Sequence, residues 1–112
     1  IMDHQLIQAM IADSQAETYA ARCMILDAAR RRDAGEDVTM LASCTKLFAT
    51  EACGRVADRA VQVFGGAGYV TDYGIERFYR DVRIFRLYEG TSQIQQIIIA
   101  RELARAAKSG KL

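Results

Sequence analysis

The 112 residues contain no proline, so nothing in the chain forces a helix to break or kink. They also lack any run of the roughly 18–20 apolar residues that a membrane-spanning helix needs. No signal peptide is visible, although a chain opening on Ile1 could be preceded by a targeting segment. Charge of one sign is missing too. Fifteen basic and 14 acidic residues leave a formal +1, which gives no global attraction to nucleic acid or to an anionic membrane. Cysteine is sparse. Cys23, Cys44 and Cys53 are odd in number, widely spaced and without a C-x-x-C pair. That argues against a disulfide framework or a zinc site, and for reduced, helix-packed thiols in a reducing compartment. What is present is a globular composition, 51% apolar. The length allows one domain with a real but thin core.

Periodicity predicts helices throughout and no strand. From His4 to about Asp33, Ile7, Ile11, Ser14, Thr18, Ala21, Ile25, Ala28 and Arg32 recur at alternating steps of four and three and share one stripe. Asp3 is placed to cap this helix, Arg30, Arg31 and Arg32 suit its negative end, and Gly35 stops it. Asp37 or Thr39 opens a second long helix to about Phe64, with an apolar stripe of Leu41, Cys44, Phe48, Ala52, Val56, Ala60 and Val63. Alanines at 49, 52, 57 and 60 let a neighbour approach closely, and close helix contact is the simplest reason for Gly54. Ile75 to Arg86 is again helical, with Ile75, Phe78, Tyr79, Val82 and Phe85 inward. Its arginines at 77, 80, 83 and 86 read as a solvated face partnered by Glu76 and Asp81, or as an edge for phosphate. Thr91 or Ser92 starts the last long helix, Ser92 and Gln95 having capping-box spacing; Ile94, Ile97, Ile98, Arg101 and Ala104 form its buried side, and it frays by about Lys108. The expected fold is therefore all-α, an up-down bundle of three long helices and one short one.

The chemistry concentrates between Val61 and Gln96. Gly65, Gly66 and Gly68 follow a helix in the pattern G-G-x-G, so a dinucleotide fingerprint fails on context. Three glycines in four positions read as a plain loop, or as a turn that approaches something closely. Glu89 stands between Tyr88 and Gly90, beside a helix start whose backbone N–H groups favour anions. Shielded from water there, a carboxylate is a usable general base for a proton held by carbon; the alternative is an exposed loop glutamate. Gly90, without a side chain, would let a flat substrate lie against the backbone.

Four segments in order resemble the C-terminal helical domain of the acyl-CoA dehydrogenase family: Gln62-Val63-Phe64-Gly65-Gly66, Gly68-Tyr69, Arg80-Asp81-Val82-Arg83, and Tyr88-Glu89-Gly90-Thr91-Ser92-Gln93-Ile94-Gln95. His4-Gln5 with Ala12-Asp13, and Ala100-Arg101-Glu102, resemble that domain's second and last helices, so the likeness covers essentially residues 1–112. The resemblance implies a flavoprotein that oxidises an acyl-CoA thioester to the trans-2-enoyl-CoA. FAD would accept the β-hydride, and electrons would pass to an electron-transfer flavoprotein. It implies that Glu89 removes the α-proton, while its N–H and a flavin ribityl hydroxyl hold the thioester carbonyl. Gly90 would line the substrate site. His4, Gln5, Thr91, Ser92 and Gln93 would contact FAD, as would Gln62, Val63, Phe64, Gly65 and Gly66, the last group reaching the cofactor of a neighbouring subunit. A homo-oligomer, dimer or tetramer, is implied, in the bacterial cytoplasm or the mitochondrial matrix.

The resemblance stops at the C-terminal domain. The family's N-terminal helical domain, its middle β domain and the first helix of its four-helix bundle have no counterpart in residues 1–112. The chain therefore reads as a fragment, a proteolytic product or a natural truncation, inactive alone, whose catalytic role exists in the complete enzyme. The alternative reading is a non-catalytic helical oligomerisation module derived from the same family, held together through the apolar stripe that a missing helix would expose.

Overall fold

The structure is a computed structural model describing residues 1–111. It is all-helical: α1 (Gln5–Asp33), α2 (Thr39–Phe64), α3 (Ile75–Val82) and α4 (Ser92–Lys108), with short 3-10 turns at Gly65–Gly68, Thr71–Tyr73 and Arg83–Arg86. Three long helices and one short one are thus observed, as the periodicity predicts. Gly35 ends α1 with φ +82°, and Thr39 opens α2 with its N–H and hydroxyl both bonded to Asp37 Oδ1, at 3.0 and 2.7 Å. Asp3 does not cap α1. The N-cap is His4, which makes no side-chain cap bond, while the Gln8 amide reaches back to the Met2 carbonyl at 2.8 Å.

Helix α2 is the common neighbour. α1, α3 and α4 all pack on it. α1 runs antiparallel: Met24 O accepts from Thr45 Oγ1, Glu17 pairs with Arg55 and Arg59 at 2.7 and 2.8 Å, and Met10 and Ile11 lie beside Val63 and Phe64. α4 also runs antiparallel, from Ser92 bonded to Glu51 toward Arg105, which lies near Asp37. Small residues make the α2 packing close, as expected: Ala52 is 2% exposed and Ala57 8%.

The core is thin. α1 contributes no buried residue, and no large side chain among the described residues is fully buried. The radius of gyration is 17.3 Å, against about 13 Å for a compact domain of this length. The inward stripe of α1 is Ile7, Met10, Ser14, Glu17, Ala21, Met24 and Ala28. Ile11, Thr18, Ile25 and Arg32, expected inward, are exposed. The first three lie along two apolar grooves between α1 and α2. Other expectations shift likewise. Phe78 and Tyr79 face outward, and Cys23 is exposed rather than packed. On α4, Ser92, Gln95, Ile98, Ile99, Glu102 and Ala106 take the inner side, leaving Ile94, Ile97, Arg101 and Ala104 exposed.

Gly54 does not mark a helix-backbone contact. The space above its Cα holds the guanidinium of Arg86, which also lies 3.5 Å from Glu51. Arg86 is therefore not part of a solvated face. Arg77, Arg80 and Arg83 are exposed, but among the described residues none pairs with Glu76 or Asp81. No helix of the described residues is long and apolar enough to cross a membrane.

Candidate active site

The turn from Leu87 to Thr91 joins the 3-10 turn after α3 to the start of α4. Its entry is fixed by backbone bonds from Leu87 and Tyr88 to the Ile84 carbonyl, at 2.9 and 3.1 Å. The Tyr88 ring stacks on Phe85, centroids 5.9 Å apart. Its exit is fixed by Thr91, whose hydroxyl accepts from Ile94 N at 3.3 Å and whose carbonyl accepts from Gln95 N at 3.0 Å. Thr91, not Ser92, is thus the cap of α4. The Ser92 hydroxyl instead donates to Glu51 Oε1 at 2.6 Å, and Gln95, buried, turns its amide back to the carbonyls of Glu89 and Gly90, both 3.4 Å away.

Between these anchors Glu89 has φ +53°, the only positive φ at a non-glycine among the described residues. Such a conformation costs of order 1–3 kcal/mol and persists only where the surroundings over-determine it, which is typical of functional turns. Gly90 follows at φ +86°, and a Cβ there would lie 2.7 Å from Gln95 Nε2. The positive φ favours glycine at that position, and a Cβ would in addition push the Gln95 amide aside. Glu89 is exposed, and its carboxylate makes no hydrogen bond or ion pair among the described residues. It projects free from a turn that is itself tightly bonded.

The backbone amides of Glu89, Gly90, Thr91, Ser92 and Gln93 find no acceptor among the described residues. Five consecutive donors at a helix N-terminus suit oxygen ligands, whether phosphate or a carbonyl gaining charge. The second group of sequence-derived positions lies elsewhere. Lys46 touches the Gly90 carbonyl and Glu51 the Ser92 hydroxyl, so Gln62–Gly66 lie about 16–24 Å along the α2 axis from the Glu89–Gln93 cluster. His4 and Gln5 belong to that far end, because α1 is antiparallel to α2. One chain therefore presents two separate clusters: Glu89–Gln93 beside Lys46–Glu51 in the first half of α2, and His4, Gln5 and Gln62–Gly66 at its C-terminal end.

The glycine turn at the far end divides by role. Gly65 caps α2 at φ +61°, and Gly68 is buried, a Cβ there lying 2.6 Å from the Val61 carbonyl. Gly66 has neither constraint: its φ is ordinary and no atom lies within 4 Å of where its Cβ would stand. Among the described residues, neither backbone conformation nor packing demands glycine at 66, and the space beside it is open.

The C-terminal domain model of the acyl-CoA dehydrogenases matches residues 1–104. The chain belongs to the acyl-CoA dehydrogenase family. Cyclohexane-1-carbonyl-CoA dehydrogenase of Geobacter metallireducens is 46% identical over 107 residues, covering 96% of this chain and 28% of that protein. The CarC subunit of a caffeyl-CoA reductase–Etf complex from Acetobacterium woodii is 43% identical over 105 residues, 94% of this chain and 28% of the relative. A solved FAD complex of PigA superposes with a TM-score of 0.88 at 29% identity, covering 92% of this chain and 27% of that one. The chain thus spans little more than a quarter of the length of the relatives it matches.

Lys46, Glu51 and Gln95 hold the Glu89 turn, and sequence reasoning assigned none of them to the site. A signal existed for one. Lys46 is the only charge between Met40 and Thr50 in a window otherwise apolar or small.

Proposed function

We propose that these residues are the C-terminal domain of an FAD-dependent acyl-CoA dehydrogenase that oxidises acyl-CoA to trans-2-enoyl-CoA. The carrying observation is the Glu89 turn: a free carboxylate on a backbone held in a strained conformation, beside unbonded amides. In the complete enzyme Glu89 removes the α-proton of the acyl thioester. Its own N–H donates to the thioester carbonyl, where negative charge grows as the proton leaves, so one residue supplies both the base and part of the charge stabilisation. Gly90 lines the substrate site and leaves room against the backbone.

Thr91, Ser92 and Gln93 would hold FAD through the start of α4, and His4, Gln5 and Gln62–Gly66 would hold it through the open glycine turn. When bound, FAD supplies the acceptor for the β-hydride. The separation of about 16–24 Å between the two clusters favours their serving different copies of the cofactor. A homo-oligomer, dimer or tetramer, meets that need. The uncovered α1–α2 grooves provide a seat for a further helix of the domain. Electrons would leave to an electron-transfer flavoprotein, a partner type that the Acetobacterium relative's name includes. The relatives named above are bacterial, which favours the bacterial cytoplasm; the mitochondrial matrix finds no support among them.

The test is Glu89→Gln in the complete protein, mixed anaerobically with acyl-CoA. Flavin stays bound and its reduction slows roughly 10²–10⁴-fold. Reduction at the normal rate contradicts the assignment of the base. The exposed apolar grooves also suit the second reading, a non-catalytic oligomerisation module. The intact mass and absorbance of the native polypeptide separate the two: a yellow, much longer protein supports the enzyme, and a colourless chain of this length supports the module.

A further inference from the structure

One side chain on another helix bonds the backbone on both sides of Glu89. Lys46 of α2 is half-buried, and its Nζ donates to the Phe85 carbonyl and to the Gly90 carbonyl, both at 2.8 Å. Among the described residues no carboxylate lies within ion-pair range of this ammonium. Its charge is directed at two carbonyl oxygens instead, one on either side of Glu89. Charge-assisted bonds of this kind are short and strong, and a single ammonium has donors enough for both. The bonded carbonyls bracket Arg86 to Glu89, closing that segment into a loop whose two ends share one anchor. Within such a loop the backbone has little freedom, which is the condition under which a left-handed glutamate persists. The Gln95 amide contacts the same region, but at 3.4 Å and without charge.

We propose that Lys46 is a positioning residue for the Glu89 turn: its ammonium, bonded to the carbonyls of Phe85 and Gly90, holds Glu89 in the backbone conformation from which its carboxylate and its N–H work together. The inference rests on the reading of Glu89 as the base, and it adds a function for a residue that never touches substrate. A methylene chain in place of the ammonium leaves two half-buried carbonyls without their donor, so the turn relaxes while the surrounding helices remain.

The test uses the complete flavin-loaded protein with Lys46→Met, Lys46→Arg and Glu89→Gln, and reads amide hydrogen exchange by mass spectrometry beside anaerobic flavin reduction. In K46M, exchange at the bonded amides of the turn, those of Leu87, Tyr88, Ile94 and Gln95, rises at least tenfold while that of α1 is unchanged. Reduction slows about 10–100-fold, the scale expected for misplacing a reacting group by an ångström, at unchanged flavin content and substrate affinity. K46R, which keeps charge and donors, recovers most of both. Unchanged exchange at those four amides overturns the anchor. Loosened exchange with a normal reduction rate overturns its link to catalysis. Full activity in E89Q overturns the base and with it the catalytic part, while the exchange result still decides the anchor. If K46M does not accumulate, Lys46→Gln, shorter and uncharged, supplies the same two readings.

Discussion

Two of the chain's glycine-bearing turns are built in opposite ways. The turn at Leu87–Thr91 is held from within: Tyr88 stacks on Phe85, Lys46 and Gln95 bond its carbonyls, and a Cβ on Gly90 would meet the Gln95 amide. The turn at Gly65–Gly68 is closely packed at Gly68, whereas Gly66 faces open space. The difference matches the two tasks proposed. A base must stand at a fixed place before substrate arrives, so its own chain supplies the bonds. A surface that meets a long cofactor, or the cofactor of another copy, gets its order from what it binds.

The sharpest way to break this contrast is a methyl group in each turn. Gly90→Ala places a left-handed Cβ against Gln95 and should cost about 2 kcal/mol or more. In the complete enzyme it should also slow flavin reduction about 100-fold. Gly66→Ala should leave thermal stability within about 0.5 kcal/mol and show its effect as lost flavin. Equal stability losses for the two variants, measured by denaturant unfolding, would erase the distinction between an internally held and an open turn.

A smaller effect sharpens the account of how α1 is attached. The hydrogen bond from Arg59, then Arg55, holds the Glu17 carboxyl below its usual range, against an opposing contribution from burial. A depressed folded-state value means that the stabilisation is present above the ordinary carboxylate range and disappears as pH falls through the lower folded value. Wild type should therefore be more stable than Glu17→Gln at neutral pH, and the gap should close below about pH 4. A gap that widens on acidification would contradict the pairing. The smallest effect is at Cys53, where burial pushes the thiol up and the nearby Arg86 charge only partly offsets it. Alkylation at pH 8 should be slower at Cys53 than at the exposed Cys23, measured by peptide mass mapping.

Much of the fold was legible because its punctuation is chemical. Gly35, Gly65 and Gly90 interrupt strong helical periodicity, and each has a positive φ. Helix phase was less legible. Three consecutive isoleucines at 97–99 fit several stripes, and the structure chooses the one that buries Ser92 and Gln95, whose polar groups bond to Glu51 and the Glu89 turn. Phe78 and Tyr79 fit the inward spacing of their helix, yet they are 63% and 52% exposed. The Glu89 turn was recognisable only through the family motif. Local spacing carries no sign that Glu89 is left-handed, and Lys46, which bonds the backbone on both sides of it, lies more than forty residues earlier.

The central claim is that Glu89 takes the α-proton, and deuterium washout tests it most directly. The complete, flavin-loaded protein is incubated with α-deuterated acyl-CoA in ordinary water, and loss of the label is followed by mass spectrometry. Wild type should release the label, and E89Q should release it at least about 100-fold more slowly with its flavin content intact. Equal washout from both proteins would mean that another group takes the proton.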